Sequence, residues 1–106
     1  MNIQQLQTIE EFQEAIENNS SLVVLKHSLT CPISTEANKQ FEGCRERANI
    51  PMYRLYVQEA RELSDYLAEK YRVKHESPQA LQFINGEVNL HLNHGDIKEE
   101  QLKRML

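Results

Sequence analysis

Apolar residues recur along this chain in two rhythms, one helical and one extended, and their alternation outlines the fold. Thr8-Ile9-Glu10-Glu11 is a capping-box pattern, in which Thr8 and Glu11 satisfy each other's backbone donors. Ile9, Phe12 and Ile16 then share one helical face. Asn18-Asn19-Ser20-Ser21 closes that helix, because short polar side chains compete for backbone hydrogen bonds. Residues 22–27 form a nearly continuous apolar run, the pattern of a strand buried on both faces. A stripe of Ile33, Ala37, Phe41, Cys44 and Ala48 predicts a second helix. Residues 52–57 predict a second strand, entered through Pro51, and 60–72 a helix with Leu63, Tyr66, Leu67 and Tyr71 on one face. Two short runs, 80–84 and 88–92, flank Asn85-Gly86, a two-residue hairpin signal because the primed turn needs positive φ. Asp96 paired with Glu99 predicts the start of a last helix carrying Ile97, Leu102 and Met105.

The order α-β-α-β-α-β-β-α predicts a single α/β domain over 1–106. A parallel βαβ unit and an antiparallel hairpin would share a mixed four-stranded sheet with helices on both faces. No repeat or linker divides the chain. At 106 residues, 40% hydrophobic and 26% charged, it carries enough apolar side chain for one core and is not a disordered composition. The net charge of −4 argues against a nucleic-acid partner, whose phosphates require clustered Lys and Arg. The longest purely apolar run, 22–25, is far short of a membrane span, and the opening Met-Asn-Ile-Gln-Gln-Leu-Gln has no leader pattern. Two cysteines do not make a secreted disulfide scaffold, so a cytoplasmic location with reduced thiols is expected.

In open α/β sheets the working site lies beyond the carboxyl ends of the parallel strands, which draws attention to residues 27–31. Pro32 suits the first helical position and leaves Cys31 as the cap, its sulfur facing the free N–H groups of Ile33 and Ser34. Those donors and the helix dipole stabilise a thiolate, making Cys31 a ready nucleophile. Ser34 can donate a hydroxyl hydrogen bond to the same sulfur but cannot form a disulfide. Cys44 falls on the apolar stripe, thirteen residues away. A continuous helix would separate the two by about 19 Å, against a disulfide limit of about 7 Å between Cα atoms. Cys44 is therefore expected to be a core thiol. His91 and His94 would point to opposite faces of a strand end and lack a Cys pair, so no metal site is expected.

The segment Lys26-His27-Ser28-Leu29-Thr30-Cys31-Pro32-Ile33-Ser34, the Ser77-Pro78 pair and the Asn85-Gly86 hairpin resemble those of the YtxJ-like monothiol bacilliredoxins. These belong to the thioredoxin-like superfamily, and the resemblance covers roughly the whole chain, without the usual first strand. It implies a cytoplasmic thiol-disulfide oxidoreductase that removes bacillithiol from S-bacillithiolated proteins. Cys31 would be the nucleophile, with Pro32 and Ser34 completing the catalytic motif and no cofactor tightly bound. Bacillithiol would be a co-substrate, and an external thiol, either free bacillithiol or a disulfide reductase, would regenerate the enzyme. Thr30 and the backbone of Ser77 beside a cis-Pro78 would receive the incoming disulfide. Gly95 and Asp96 would offer backbone donors to the carboxylates of the small thiol. Where glutaredoxins often carry a Lys, three residues before the reactive Cys, this chain has Ser28, with Lys26 and His27 nearby as sources of positive charge. His27 reads better as the end of the strand than as a residue that tunes the thiolate.

Two other functions fit a single reactive thiol on this fold. An iron–sulfur carrier of the monothiol glutaredoxin type would hold a cluster through one Cys per chain, but those proteins carry Gly where Pro32 stands. A non-catalytic adaptor module would need no unusually acidic Cys31.

Overall fold

The computed structural model describes residues 2–106. The chain runs β1 (Ile3–Gln5), α1 (Ile9–Asn18), β2 (Ser21–His27), α2 (Pro32–Gly43), β3 (Met52–Tyr56), α3 (Arg61–Tyr71), β4 (Gln79–Ile84), β5 (Glu87–Asn93), a 3-10 turn (His94–Asp96) and α4 (Glu99–Leu102). The sheet has five strands in the order β1-β3-β2-β4-β5, one more than the apolar pattern predicts. The additional strand, β1, pairs in parallel with β3, Ile3 opposite Met52 and Gln5 opposite Arg54. It is only three residues long, Ile-Gln-Gln, with both glutamines exposed. So short and polar a segment has no strand periodicity of its own, and the exposed edge of β3 decides its conformation.

The parallel pair of β2 with β3 and the antiparallel hairpin of β4 with β5 are as expected. The structure adds the antiparallel pairing of β2 with β4 that joins them into one sheet. Asn85 and Gly86 both have positive φ, 51° and 81°, as a primed turn requires. β2 is the central wall, buried from Leu22 to His27. Its alternating side chains feed two cores. Leu22 and Val24 pack with Phe12 of α1, Leu63 and Leu67 of α3, and Phe83. Val23 and Leu25 pack with Ala37 and Phe41 of α2, and with Leu102 and Met105 at the C-terminal end. On the first face Phe83 meets Phe12 and Tyr71 edge to face, with centroids 5.1 and 5.0 Å apart.

Thr8 caps α1 with the reciprocal bonds its sequence predicts: Glu11 N–H donates to Thr8 Oγ1, and Glu11 Oε1 accepts from Thr8 N–H, both at 3.1 Å. Two expectations fail. The stripe Ile33 to Ala48 is not one helix face, because α2 ends at Gly43 with Cys44 as its C-cap, and Ile33 is 52% exposed. Asp96 does not open the last helix. It ends a 3-10 turn, and Lys98 is the cap of a four-residue α4. Ile97 is buried between the two, which spends residues 94–98 on delivering one apolar side chain to the core.

Candidate functional site

β2 and β3 end side by side, with His27 in register with Tyr56 and Val57 N–H donating to the His27 carbonyl at 2.9 Å. The chain leaves β2 through Ser28, Leu29 and Thr30 and enters α2 at Pro32, so Cys31 becomes the cap. It is half-buried and unpaired, whereas Cys44, at the far end of the same helix, is unpaired and buried. Cys31 makes no capping hydrogen bond of ordinary geometry. Even so, the Ser34 amide holds its pKa below the usual thiol value. Burial, the next-largest effect, opposes this, and the Ile33 amide and the Ser34 hydroxyl add smaller contributions in the lowering direction. Burial first, and Glu99 second, push the Cys44 thiol the other way. The two cysteines thus differ in the direction that separates a nucleophile from a core thiol.

Ser34 is wholly buried, and its Oγ accepts a hydrogen bond from Ser28 N–H at 3.2 Å. That ties the first turn of α2 to the loop it emerged from. Gln58, just after β3, ties the same loop from the other side. Its Oε1 accepts from Leu29 N–H at 3.1 Å, and its Nε2 donates to Ser28 Oγ at 2.9 Å and Thr30 Oγ1 at 3.4 Å. Thr30 therefore helps to hold the loop rather than standing free. Nothing local in the sequence marks Gln58, since it reaches the loop only once β2 and β3 are paired.

The register of β2 with β4, Lys26 opposite Gln79, brings Ser77-Pro78 to the same end of the sheet as the Cys31 loop. The Ser77-Pro78 bond is cis. The Pro78 carbonyl accepts from His94 N–H at 2.9 Å. Ser77 has no backbone hydrogen bond among the described residues, and its hydroxyl is buried without a partner. Two hollows flank the Cys31–Pro32 step. One, of about 440 Å³, includes Leu29, Thr30, Cys31 and Lys39 in its lining. The other, of about 330 Å³, is bounded by Pro32, Ile33, Ala37, Gly95, Ile97 and Lys98.

Three sequence-level assignments change here. Lys26 does not supply positive charge to Cys31, because strand alternation sends it to the α3 face, where its Nζ donates to the Ser64 carbonyl at 3.1 Å. His27 does lie on the α2 face, but burial, followed by the Arg54 charge, lowers its pKa. It is consequently neutral at pH 7, its ring set edge-on to Tyr56 at 5.5 Å and its Nδ1 without a partner. Gly95 reaches the second hollow, but Asp96 does not line it. The amides expected to be free near Asp96 are partly taken: Ile97 and Lys98 N–H donate to the His94 and Asp96 carbonyls, and Glu99 N–H to Gln40 Oε1. Among the described residues, no group of three or more His, Cys, Asp or Glu side chains is placed to hold a metal ion. No helix among them is long and apolar enough to cross a membrane.

Comparison with known proteins agrees with this geometry. A structure described as a proposed oxidoreductase with a thioredoxin fold shares 47% sequence identity, with a TM-score of 0.90 over 97% of this chain and 92% of that one. Thioredoxin from Schistosoma mansoni superposes with a TM-score of 0.80 over the full length of both chains at 18% identity. Mitochondrial thioredoxin 3 from Saccharomyces cerevisiae gives 0.75 over 96% and 91% at 16% identity. The last two establish the thioredoxin fold alone. The family described as "Monothiol bacilliredoxin BrxC" matches residues 4–102. A thioredoxin-fold chain with one acidified thiol at a helix start, matched over nearly its whole length, belongs to the monothiol bacilliredoxin family and to thiol redox chemistry.

Proposed function

We propose that the protein removes bacillithiol from S-bacillithiolated proteins through Cys31 alone. One observation carries this reading: the position one turn after the acidified Cys31 is a buried serine, and the second cysteine is sequestered at the other end of α2. In the first step the Cys31 thiolate attacks the bacillithiol sulfur of the mixed disulfide. The S–S bond breaks, the client leaves as a thiolate, and bacillithiol remains bonded to Cys31. In the second step an external thiol attacks that new disulfide and restores the Cys31 thiolate. Free bacillithiol would leave as its own disulfide, and a dithiol reductase would leave oxidised. Both steps are thiol–disulfide exchange and need only the two electrons that the external thiols supply.

The surroundings support both steps. The Ser34 and Ile33 amides that favour the attacking thiolate also favour Cys31 as a leaving group. The Ser77 backbone, without a hydrogen bond among the described residues, offers a donor and an acceptor to a peptide. The hollow beside Pro32, lined by Gly95 and Lys98 as well as by Glu36, offers room for the small thiol, with the Lys98 ammonium favouring its carboxylates and the Glu36 carboxylate opposing them. Bacillithiol is thus a co-substrate, and the cytoplasm, where such thiols are kept reduced, is the compartment that suits the reaction.

Mass spectrometry of protein mixed with an S-bacillithiolated client tests the proposal. The bacillithiol mass should appear on Cys31 and the client should be freed. Cys31→Ala should lose all transfer and Cys44→Ala should keep it. Transfer that survives in Cys31→Ala overturns the assignment.

A further inference from the structure

The inner wall of the sheet contains a lysine that the chemistry at Cys31 does not use. Lys26 is 0% exposed. Its Nζ donates to the Ser64 carbonyl at 3.1 Å and lies 3.2 Å from His75 Nδ1, which also lies 3.2 Å from Ser64 Oγ. An ammonium has donors only, so His75 Nδ1 must be a bare acceptor with the ring proton on Nε2. Among the described residues no carboxylate reaches Lys26 within ion-pair distance. A methionine would fill this volume without a charge to desolvate. What lysine adds is a donor whose partner has to remain unprotonated.

That partner sits in the segment between α3 and β4, two residues before Ser77. The other ties of this segment are few. Val73 N–H donates to the Ala68 carbonyl, Gln79 Nε2 to the Lys74 carbonyl and His94 N–H to the Pro78 carbonyl, while Glu76 pairs with Lys74 and His94 near the surface. Val73 packs against the core that Leu22 and Val24 share, and among the described residues the Lys26 cluster is the segment's polar tie to the buried face of β2.

We propose that Lys26, Ser64 and His75 form a proton-sensitive latch that holds the Ser77-Pro78 segment in place for the incoming disulfide. The consequence for catalysis rests on the role of that segment in the reading above. With His75 neutral, Nδ1 accepts from Lys26 and the segment is docked on β2. A proton on Nδ1 removes the acceptor and sets an imidazolium against a buried ammonium, and the segment leaves the wall. The groups facing His75 are Lys26 from β2, Asp65 and Arg61 from α3, and Glu76 from its own segment. His75 is exposed at its outer edge while Nδ1 faces Lys26 and Ser64. Partial burial of the ring first, then Lys26 and to a smaller extent Arg61, oppose its protonation, Asp65 and Glu76 favour it, and the balance holds its pKa below the ordinary value.

The test is a pH titration of backbone amide shifts by NMR between about pH 5 and 8, the range in which histidine ordinarily titrates. The same samples give the transfer rate, divided by the thiolate fraction obtained from Cys31 alkylation. The amides of Glu76, Ser77 and Gln79 should move in one step with the His75 ring, at a midpoint below the ordinary histidine value. The corrected rate should fall about tenfold per pH unit below that midpoint, the limit for loss of one neutral base. His75→Asn keeps an acceptor that cannot take a proton, and it should flatten both curves. Lys26→Met should raise the His75 midpoint. His94→Asn, which removes the imidazole that pairs with Glu76, should leave the step intact. Amides that follow His94 instead of His75, or a step unchanged in His75→Asn, overturn the latch. If the wild-type protein transfers no bacillithiol at any pH, the reading of the site fails, and the amide titration still decides whether the latch exists.

Discussion

One hydroxyl at Ser34 serves two neighbours, accepting from Ser28 N–H and helping to lower the pKa of the Cys31 thiol. Ser34→Ala therefore has two separable consequences. The buried Ser28 amide is left without an acceptor, at a cost of about 1–3 kcal/mol in urea unfolding. The Cys31 pKa rises, so the alkylation rate follows pH along a curve displaced upward. The displacement should be partial, because the larger contribution, the Ser34 backbone amide, survives the substitution. Ser34→Cys instead places a second thiol one turn from Cys31. It should divert the mixed disulfide into an internal one and release bacillithiol without an external thiol, an outcome that mass spectrometry of the intact protein would register.

The helix and turn signals read from sequence correspond to measurable energies. Thr8→Ala removes the acceptor for Glu11 N–H and should cost about 1 kcal/mol in thermal or urea denaturation. Gly86→Ala should cost a similar amount, about 1 kcal/mol, through its positive φ alone. The nearest atom to an added Cβ there, Ile16 Cγ2, is an ordinary 3.8 Å away. Elements with a local cause, such as Thr8 with Glu11, Pro32 after Cys31 and Asn85-Gly86, were legible in the sequence. So was Cys31, because a helix start is encoded by neighbouring residues. β1 was not legible, since three residues with two glutamines become a strand only against β3. The side on which Ile33 falls was missed for a different reason. A helical stripe says which residues share a face, and the end of α2 at Gly43 is a tertiary outcome. Gln58 and His75 act on the site from remote elements, and no spacing announces them. Lys26 is read from sequence as a charge near Cys31, but the face it occupies follows from its place in the strand, not from its nearness to Cys31.

Across the whole molecule, stability should depend on pH through the buried lysine. Burial pushes the Lys26 pKa from 10.5 down to about 8, with a smaller opposing pull from Asp65. Between those values the unfolded chain holds the proton that the folded chain has released, so folding stability should rise as pH increases from about 8 to 10.5. Below about pH 8 the ammonium stays charged in the core, at a cost on the order of 3 kcal/mol. Lys26→Met removes that cost and loses the hydrogen bonds to Ser64 and His75, at roughly 1 kcal/mol each. The variant should be at least as stable as the wild type at pH 7, and its urea midpoint should not climb in alkali. Both are read from equilibrium unfolding at a series of pH values. The edge-on contact of His27 with Tyr56 has an optical consequence. With four tyrosines and no tryptophan, the chain has no indole to drain or mask phenol emission. A protonated imidazole against the Tyr56 ring quenches that emission, so ultraviolet fluorescence should dim as His27 gains a proton, below its ordinary titration range. Tyr56→Phe should abolish the dimming, which makes the strand end beneath the reactive sulfur its own unlabelled reporter.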